Sequence, residues 1–310
     1  MASYSRYEYL SATGVKRKGM ILVTGSTGTI SSALIEELAA LRAPTRALVH
    51  TPEKTSIVER EGVEVTVGDL GSPETLDAAL EGVERAFLLT PPDPHQPEWE
   101  KNLIEAAECA GVRHVVKLSA LGGEANSPVR FLRNHADGER VLEKSKLSWT
   151  FLRPNSFMQN MLSNAWSIAS ERRLYSPILD AKVTLIDARD VAAVAARVLT
   201  EEGHEGKVYE LTGPEAISNR EAAERLSTVL GRPIECVEVS FEDARQAMVG
   251  GGMPEWQAAG VIELARLQEA GYAAVLTNGV AEATGRGSRR FEEFAHDYES
   301  AFLGDSSAEP

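Results

Sequence analysis

The chain has 310 residues, of which 43% are hydrophobic, so it can bury a large core, and disorder throughout is excluded. Its 32 Lys and Arg against 46 Asp and Glu give a formal net charge of −14, which repels a phosphate backbone or an anionic bilayer and argues against nucleic acid and membrane as partners. Cys109 and Cys236 are too few for a disulfide framework and lie at no metal-ligand spacing, so we expect a cytoplasmic protein without a metal.

The chain begins with a polar segment. Residues 1–19 lack the apolar centre of a signal peptide, and we predict a flexible leader there. No stretch of the sequence reaches the roughly 20 apolar residues that a membrane span requires.

Extended apolar runs alternate with helical patterns from residue 20 onward. The runs cover residues 21–23, 46–49, 63–67, 86–89, 115–118 and 149–152, and the helical patterns cover 31–41, 74–80, 98–110 and 129–144. Strands that alternate with helices imply right-handed crossovers and a parallel sheet covered on both faces. The predicted fold class is therefore α/β, with a doubly wound parallel sheet.

The alternation breaks after Pro154. A Met- and Asn-rich helix is predicted over residues 157–170, then a short strand, a helix with Asp187 as its N-cap, and another strand over 208–211. The remainder is mostly helical. We therefore predict a sheet domain over residues 20–156, to which 180–212 return, and a smaller, mainly helical C-terminal substrate lobe built from 157–176 and 213–310.

A glycine loop, VTGSTGTIS at residues 23–31, joins the first strand to the first helix. Gly25 and Gly28 have no Cβ, so backbone amides there can approach a pyrophosphate at the positive end of the helix, and Thr27 and Thr29 add hydroxyl donors. The spacing is G-x-x-G-x-x-S rather than G-x-G-x-x-G. An ordinary tight turn is the alternative, but the position after the first strand of an alternating sheet favours a dinucleotide.

The end of the second strand predicts which dinucleotide binds. Enzymes that use NAD usually place Asp or Glu there to hold the ribose 2′-hydroxyl, and that carboxylate would repel a 2′-phosphate. Here the strand ends in His50, and the next acid, Glu53, stands beside Lys54. We expect NADP(H) and leave NAD(H) open, because His is a weaker phosphate partner than Arg. A solvated loop histidine is the alternative interpretation of His50.

Eight stretches resemble the NmrA-like family of atypical short-chain dehydrogenases/reductases. They read VTGSTGTIS, RALVHTPEK, GVEVTVGDL, AAECAGVRHVVKLSA, LSWTFLRPNSFMQNM, IDARDVAAVAARVLT, KVYELTGPEAIS and VAEATGRGSRRFEEFA. The resemblance implies an oxidoreductase with a Rossmann-like, NADP(H)-binding domain and a small C-terminal lobe. It also implies cofactor contacts: the pyrophosphate at Gly25, Thr27, Gly28, Thr29 and Ile30, the adenine at Asp69 and Leu70, the nicotinamide ribose at Thr90 and Pro91, and the nicotinamide edge at Ser119 and Asn155.

The proton donor of standard short-chain dehydrogenases, Tyr-x-x-x-Lys, is missing, since none of the 7 tyrosines has a lysine four residues later. On the corresponding helix His135 and Glu139 stand one turn apart. They are either a proton donor oriented by a carboxylate or a helical ion pair, and we favour the ion pair. His135, with Ser119 and Asn155, completes the set of candidate catalytic residues.

The missing tyrosine limits the acceptor. Hydride addition to a simple ketone leaves a localised alkoxide that needs an acid, whereas a quinone, azo compound or cationic dye spreads or cancels the charge, and water can complete the protonation. Phe157, Met158 and Met161 offer aromatic and thioether surface for a flat molecule, unless they are only the buried face of a helix. His95, in a Pro-rich loop after the fourth strand, either contacts substrate or is solvated.

Two functions follow from these observations. The first is an NADP(H)-dependent oxidoreductase, monomeric or homodimeric, that transfers hydride to a conjugated, electron-poor small molecule of quinone, azo or dye type, or to a metabolic intermediate. The second is a non-catalytic redox sensor that binds NADP(H) and acts through a protein partner. Fold analogy alone does not separate them.

Overall fold

The structure, a computed structural model, describes residues 19–305, so the leader predicted over 1–19 lies outside the described residues except for Gly19. The strands are β1 (Met20–Val23), β2 (Thr45–Val49), β3 (Val63–Val67), β4 (Val83–Leu88), β5 (His114–Leu118), β6 (Ser148–Pro154), β7 (Arg173–Ser176), β8 (Lys207–Leu211) and β9 (Glu235–Glu238). The helices are α1 (Thr29–Ala40), α2 (Thr55–Val58), α3 (Leu76–Leu80), α4 (Gln96–Ala110), α5 (Arg130–Lys144), α6 (Ala165–Glu171), α7 (Ala188–Thr200), α8 (Asn219–Val229), α9 (Phe241–Gly250), α10 (Glu255–Glu269), α11 (Gly279–Thr284), α12 (Phe291–Asp297) and α13 (Glu299–Leu303). Short 3-10 helices cover Pro52–Lys54, Pro73–Thr75 and Met158–Asn164.

A parallel sheet of seven strands forms the centre of the described chain, in the order β3-β2-β1-β4-β5-β6-β8. The chain moves outward from β1 to β3, returns to the other side of β1 with β4, and then moves the opposite way. This is a doubly wound sheet, and the predicted fold class is confirmed. Because the connections leave β1 and β4 in opposite directions, a crevice opens at the carboxyl ends of these two strands.

Apolar side chains cover both faces of the sheet, because successive residues of a strand point to opposite sides. In β4, Phe87 faces a core formed with α1, α7 and α11, while Ala86 faces a core formed with α3, α4 and α5. The small side chains of the Ala- and Val-rich α7 let this helix lie close against the sheet, and almost all of its residues are buried. Helices therefore cover both faces of the sheet, and a ligand can reach it only at the ends of the strands.

A smaller core belongs to the C-terminal part of the chain. It packs Met158, Leu174, Phe291 and Phe294 with their neighbours, beside a two-stranded parallel sheet of β7 and β9. Helix α11 lies in the range predicted for the lobe, but its Val280 packs in the core of the large sheet. The predicted domain boundaries therefore remain a prediction.

The single helix predicted over residues 157–170 differs in the structure. It is the 3-10 helix Met158–Asn164 followed by α6. The Ser163 hydroxyl donates to the Asn160 carbonyl at 2.8 Å, and such side-chain bonds compete with regular helix bonding. The Asn- and Ser-rich composition of this segment thus favours the tighter, irregular turn.

The strand predicted before Asp187 also differs. Only isolated bridges are present there, joining Phe157 to Ile186 and Val183 to Ile217. Asp187 does cap α7, because its carboxylate accepts a backbone N–H of the first turn. The segment therefore runs extended between the two cores before α7 begins.

Cys109 and Cys236 are free thiols; Cys109 is exposed, and Cys236 is half-buried in β9. Within residues 19–305, no helix combines the length and apolarity needed to cross a bilayer. Nor do three His, Cys, Asp or Glu side chains gather in this part of the chain as metal ligands would.

Strand β5 begins with a histidine that the sheet buries. His114 Nε2 lies 2.9 Å from Thr150 Oγ1, which itself donates to the His204 carbonyl at 2.6 Å, so Nε2 carries the proton and donates it. Nδ1 is buried without a partner among the described residues. Burial, together with the Arg85 guanidinium, lowers the pKa of His114 to about 4.

We expect this histidine to make the fold acid-sensitive. The unfolded chain protonates His114 below its ordinary pKa of 6.5, whereas the folded chain does so only near 4, so stability is lost as the pH falls through this window, by roughly 3 kcal/mol in all. His114→Gln keeps a donor for Thr150 and should remove most of that loss. Urea unfolding from about pH 7 to about pH 4 measures it, and parallel curves for both proteins would contradict the assignment.

Candidate active site

The glycine loop lies at the crevice, directly after β1. Gly25 has a φ of +61°, and a Cβ there would lie 2.5 Å from the side chain of Leu89, which follows β4. The Thr24 hydroxyl joins the two segments, since it accepts the Leu89 N–H and donates to the Leu89 carbonyl, both at 2.8 Å. Glycine is therefore required at position 25 for the loop to pass this close to the end of β4.

Helix α1 begins within this loop. Gly28 is its N-cap and offers no side chain to the first-turn amides, so those N–H groups can bind an anion, which the helix dipole also favours. Thr27, Gly28 and Thr29 are exposed, whereas Ile30 is buried. The buried Ser31, where a third glycine would stand, donates to a loop carbonyl at 2.8 Å. Buried hydrogen bonds thus fix the loop on its inner side, while its outer side is exposed to solvent.

The residues expected at the adenosine end follow β2 and β3. His50 is exposed, and its Nδ1 lies 3.5 Å from Asp69 Oδ1. The Leu70 carbonyl accepts the Asn102 amide at 2.8 Å, which fixes the loop after β3. Lys54 ends a 3-10 helix and is exposed. The structure brings His50 and Asp69 together, and the contacts of these four predicted residues with an adenosine remain a prediction.

The residues expected near the nicotinamide lie at the ends of β4, β5 and β6. Ser119 is 2% exposed, and its hydroxyl has no partner among the described residues. A buried hydroxyl without a partner is one that a bound ligand can satisfy. Thr90 is buried with its hydroxyl donating to Glu100 Oε1 at 2.9 Å, while Pro91 is exposed.

The Asn155 side chain is largely used by the protein itself. Its amide donates to the Thr184 hydroxyl at 2.6 Å and to the Ala273 carbonyl at 2.9 Å, and its oxygen accepts the Ser156 N–H at 2.9 Å. Both donors are occupied, so only an acceptor lone pair is left for a ligand. Asn155 can therefore orient a bound amide, but its side chain has no hydrogen left to donate.

A buried ion pair lies beside Thr90 and is not among the features predicted from the sequence. Lys117 in β5 and Glu100 in α4 are both 0% exposed, and Lys117 Nζ donates to Glu100 Oε1 at 2.7 Å. A signal was present in the apolar run HVVKL at residues 114–118. A strand buried on both faces has no water for an ammonium group, so its lysine must have a buried partner.

The predicted pairing of His135 with Glu139 is wrong. Arg153 of β6 binds the Glu139 carboxylate instead, donating from Nη2 at 2.6 Å and from Nε at 2.9 Å. His135 Nδ1 lies 3.5 Å from Lys117 Nζ and 3.5 Å from Gln96 Nε2. Burial and the Lys117 ammonium hold the pKa of His135 well below its usual range. The imidazole is therefore neutral near pH 7 and has no carboxylate to orient it.

A cavity of about 830 Å³ opens next to the end of β6. Its lining includes Ser156, which directly follows Asn155, and Phe157 and Met161, two of the residues predicted for the substrate pocket. Residues of α9 and α10, such as Met248 and Ile262, form another wall that the sequence analysis did not predict. Most of the lining is apolar, as in sites that bind flat organic molecules.

Two residues predicted for the substrate pocket do not line this cavity. Met158 is 1% exposed, because it packs inside the core of the lobe. The His95 side chain is 66% exposed at the start of α4, and its Nδ1 lies 2.8 Å from Asp93 Oδ1. The irregular turn after Phe157 separates Met158 from Met161, so of these two methionines Met161 is the one that faces the cavity.

The family model of the NmrA-like family matches residues 17–294. The chain belongs to the NmrA-like family. It is 42% identical over 283 residues to the NAD(P)H azoreductase of Xenophilus azovorans, a match that covers 91% of this chain and 99% of the relative. It is 41% identical over 287 residues to the (4-alkanoyl-5-oxo-2,5-dihydrofuran-3-yl)methyl phosphate reductase of Streptomyces griseus, with 91% and 99% covered. The crystal structure of the NADPH-dependent quinone oxidoreductase of Escherichia coli complexed with NADPH has a TM-score of 0.82 and 28% identity, covering 90% of this chain and 100% of that chain.

In this NmrA-like protein, one helix glycine lets α5 lie against the buried ion pair. A Cβ at Gly138 would lie 1.7 Å from Glu100 Oε2 and 2.8 Å from Lys117 Cε. Glycine inside a helix normally costs about 0.5–1 kcal/mol relative to alanine, so its presence here needs a steric reason. The close approach to two charged groups, neither of which reaches solvent, supplies that reason.

We therefore expect Gly138→Ala to destabilise the NmrA-like fold by about 1–3 kcal/mol, the usual effect of overpacking, against the gain in helix propensity. Gly250→Ala is the matched control, because Gly250 ends α9 and a Cβ there would have no atom of a neighbouring residue within 4 Å. That variant should be neutral or slightly stabilising. Urea unfolding measures both, and a stabilised Gly138→Ala would show that the ion pair does not require the glycine.

Proposed function

We propose that the chain is an NAD(P)H-dependent reductase that transfers hydride to a conjugated, electron-poor small molecule of quinone, azo or dye type. The observation that carries the proposal is the position of the cavity. Ser156, one residue beyond Asn155, where the nicotinamide edge is expected, belongs to its lining. A flat acceptor in the cavity would thus lie beside the reacting end of the cofactor. The azoreductase and quinone oxidoreductase relatives support the same class of reaction.

The described residues fit a dinucleotide. The first turn of α1 has no side-chain cap, and the buried Ser119 hydroxyl lacks a partner in residues 19–305, so both the pyrophosphate and the nicotinamide ends have groups that a ligand would satisfy. NADPH, when bound, supplies the hydride. Gly25 and Gly28 let the backbone approach its phosphates, and Thr90 and Pro91 follow β4 at the opposite side of the crevice.

Protonation of the product does not need a protein acid in this proposal. Burial and the Lys117 ammonium lower the pKa of His135 and so keep its ring neutral, and a neutral imidazole is a very weak acid. Conjugated acceptors spread the added charge over many atoms, so solvent can deliver the proton. A simple ketone would leave a localised alkoxide, which a neutral imidazole is too weak an acid to protonate efficiently.

The cavity lining predicts the charge of the acceptor. Among the described residues that form it, Asp243 is the one charged side chain, and no Lys, Arg or His is present. Moving an anion from water into such a site has a large desolvation cost without a compensating partner. The acceptor is therefore neutral or cationic, which distinguishes it from the phosphate ester in the name of the Streptomyces griseus relative.

A reducing cytoplasm suits the two free thiols.

The proposal is tested by single-turnover oxidation of bound NADPH with a neutral naphthoquinone and with its sulfonated counterpart. We expect the neutral quinone to oxidise bound NADPH at least about tenfold faster, equivalent to about 1.4 kcal/mol. Asp243→Asn removes the negative charge of the cavity and should reduce this difference in rate. Asp77→Asn, an exposed carboxylate of α3 outside the cavity lining, is the control. If NADPH binds but no quinone, azo or dye acceptor oxidises it, the redox sensor becomes the better interpretation.

We also expect NADP(H) to bind more tightly than NAD(H). No carboxylate closes β2, and the exposed His50 stands where one would contact the ribose. His50→Asp would place a negative charge against the 2′-phosphate and should erase or reverse the preference. Calorimetric titration of both proteins with both cofactors measures it. A wild-type protein that binds NAD(H) more tightly would refute the assignment of His50.

A further inference from the structure

The ammonium group of Lys117 has an acceptor for each of its three protons. Nζ lies 2.7 Å from Glu100 Oε1, 3.2 Å from the Leu118 carbonyl and 3.5 Å from His135 Nδ1. An ammonium group can only donate hydrogen bonds. The third proton therefore points at a ring nitrogen that has to accept it.

The orientation of the Gln96 amide is fixed by the same cluster. Its nitrogen lies 3.1 Å from Glu100 Oε1 and 3.5 Å from His135 Nδ1. The reversed amide would place its oxygen against the Glu100 carboxylate, which is repulsive. Gln96 therefore presents an N–H to His135, as Lys117 does, and the two donors converge on one nitrogen.

Two donors at Nδ1 leave one neutral form of the ring. Nδ1 must carry its lone pair, so the single proton is on Nε2. Nε2 has no hydrogen-bond partner in the described chain, and the residue is partly exposed. The Nε2–H is thus left for a bound group, and the cluster adjoins Thr90, whose hydroxyl donates to the same Glu100 oxygen as Lys117 does.

The charges around His135 oppose a second proton. Lys117 faces it from β5, and the Glu100 carboxylate on α4 is already bound to Lys117. On its own helix, Glu139 turns away to Arg153 of β6. Asp93, in the loop before α4, has its carboxylate on His95. Glu100 Oε2 is buried without a hydrogen-bond partner, but no carboxylate among these groups forms a hydrogen bond with the ring, and the Lys117 ammonium beside it disfavours imidazolium.

We infer that Lys117 and Gln96 are positioning residues that hold His135 as a neutral imidazole with its proton on Nε2, so that it serves as a fixed hydrogen-bond donor at the nicotinamide side of the crevice. Glu100 holds Lys117 in place through the hydrogen bond to Nζ. The role as a donor to a bound group rests on the proposed function. The protonation state does not, because it follows from the contacts of the protein alone.

Nitrogen-15 NMR of histidine-labelled protein tests the state of the ring without substrate. We expect His135, assigned by comparison with His135→Gln, to show the shift pattern of the Nε2–H form without titration from about pH 8 down to about pH 5.5. A ring with its proton on Nδ1, or one that becomes imidazolium near pH 6.5, would overturn the inference. Because no turnover is measured, this outcome is independent of whether the protein is a reductase.

The double variant Lys117→Met with Glu100→Gln tests the cause. It removes the cation without leaving a buried, unpaired anion, and the pKa of His135 should therefore rise. Single-turnover NADPH oxidation should be flat with pH in wild type and become pH-dependent in the variant. Lys101→Met with Glu105→Gln removes an exposed ion pair from the same helix and is the control. An unchanged His135 signal and a flat profile in the folded double variant would overturn the assignment of Lys117.

Discussion

Strands β1 and β4 are neighbours in the sheet, yet the chain leaves them in opposite directions, and every part of the candidate site depends on that reversal. A parallel sheet brings all carboxyl strand ends to one edge, and the reversal opens that edge between two particular strands. The glycine loop follows β1, Thr90 follows β4, and Ser119 follows β5. Three segments that are far apart in the sequence therefore meet at one crevice. The sheet topology alone brings them together, and no bound ligand is needed for it.

The buried ion pair between Lys117 and Glu100 places charge directly behind that crevice. Removing one partner would leave an uncompensated buried charge, at a cost of about 3–5 kcal/mol, whereas apolar replacement of both could be neutral. Stability alone therefore does not account for the pair. Its contacts do: Glu100 accepts from Thr90 at 2.9 Å, and Lys117 faces His135 at 3.5 Å. The pair orders two polar groups at the surface of the crevice from a position that water cannot reach.

Local signals account for what the sequence predicted. The period of apolar residues gave strand β3 its bounds, 63–67, as found, and the glycine spacing located the loop after β1. The error at His135 has a physical reason, because one-turn spacing reports only neighbours on the same helix. Its actual partner Lys117, and the partner of Glu139, Arg153, come from strands 18 and 14 residues away. The contribution of α9 and α10 to the cavity wall could not be predicted for the same reason, because the period of apolar residues does not report which distant helices pack together.

The cavity and the neutral histidine together restrict the chemistry more than either does alone. A redox sensor needs the glycine loop and the crevice, whereas an apolar cavity of about 830 Å³ with Ser156 in its lining favours a small-molecule acceptor. A reductase of simple ketones would use such a cavity but would need an acid, whereas burial and the Lys117 ammonium hold the pKa of His135 well below its usual range. An acceptor that is flat, without negative charge and able to delocalise the electron pair satisfies both limits. In the proposed reaction, selectivity would therefore depend on how well the acceptor delocalises the added electron pair.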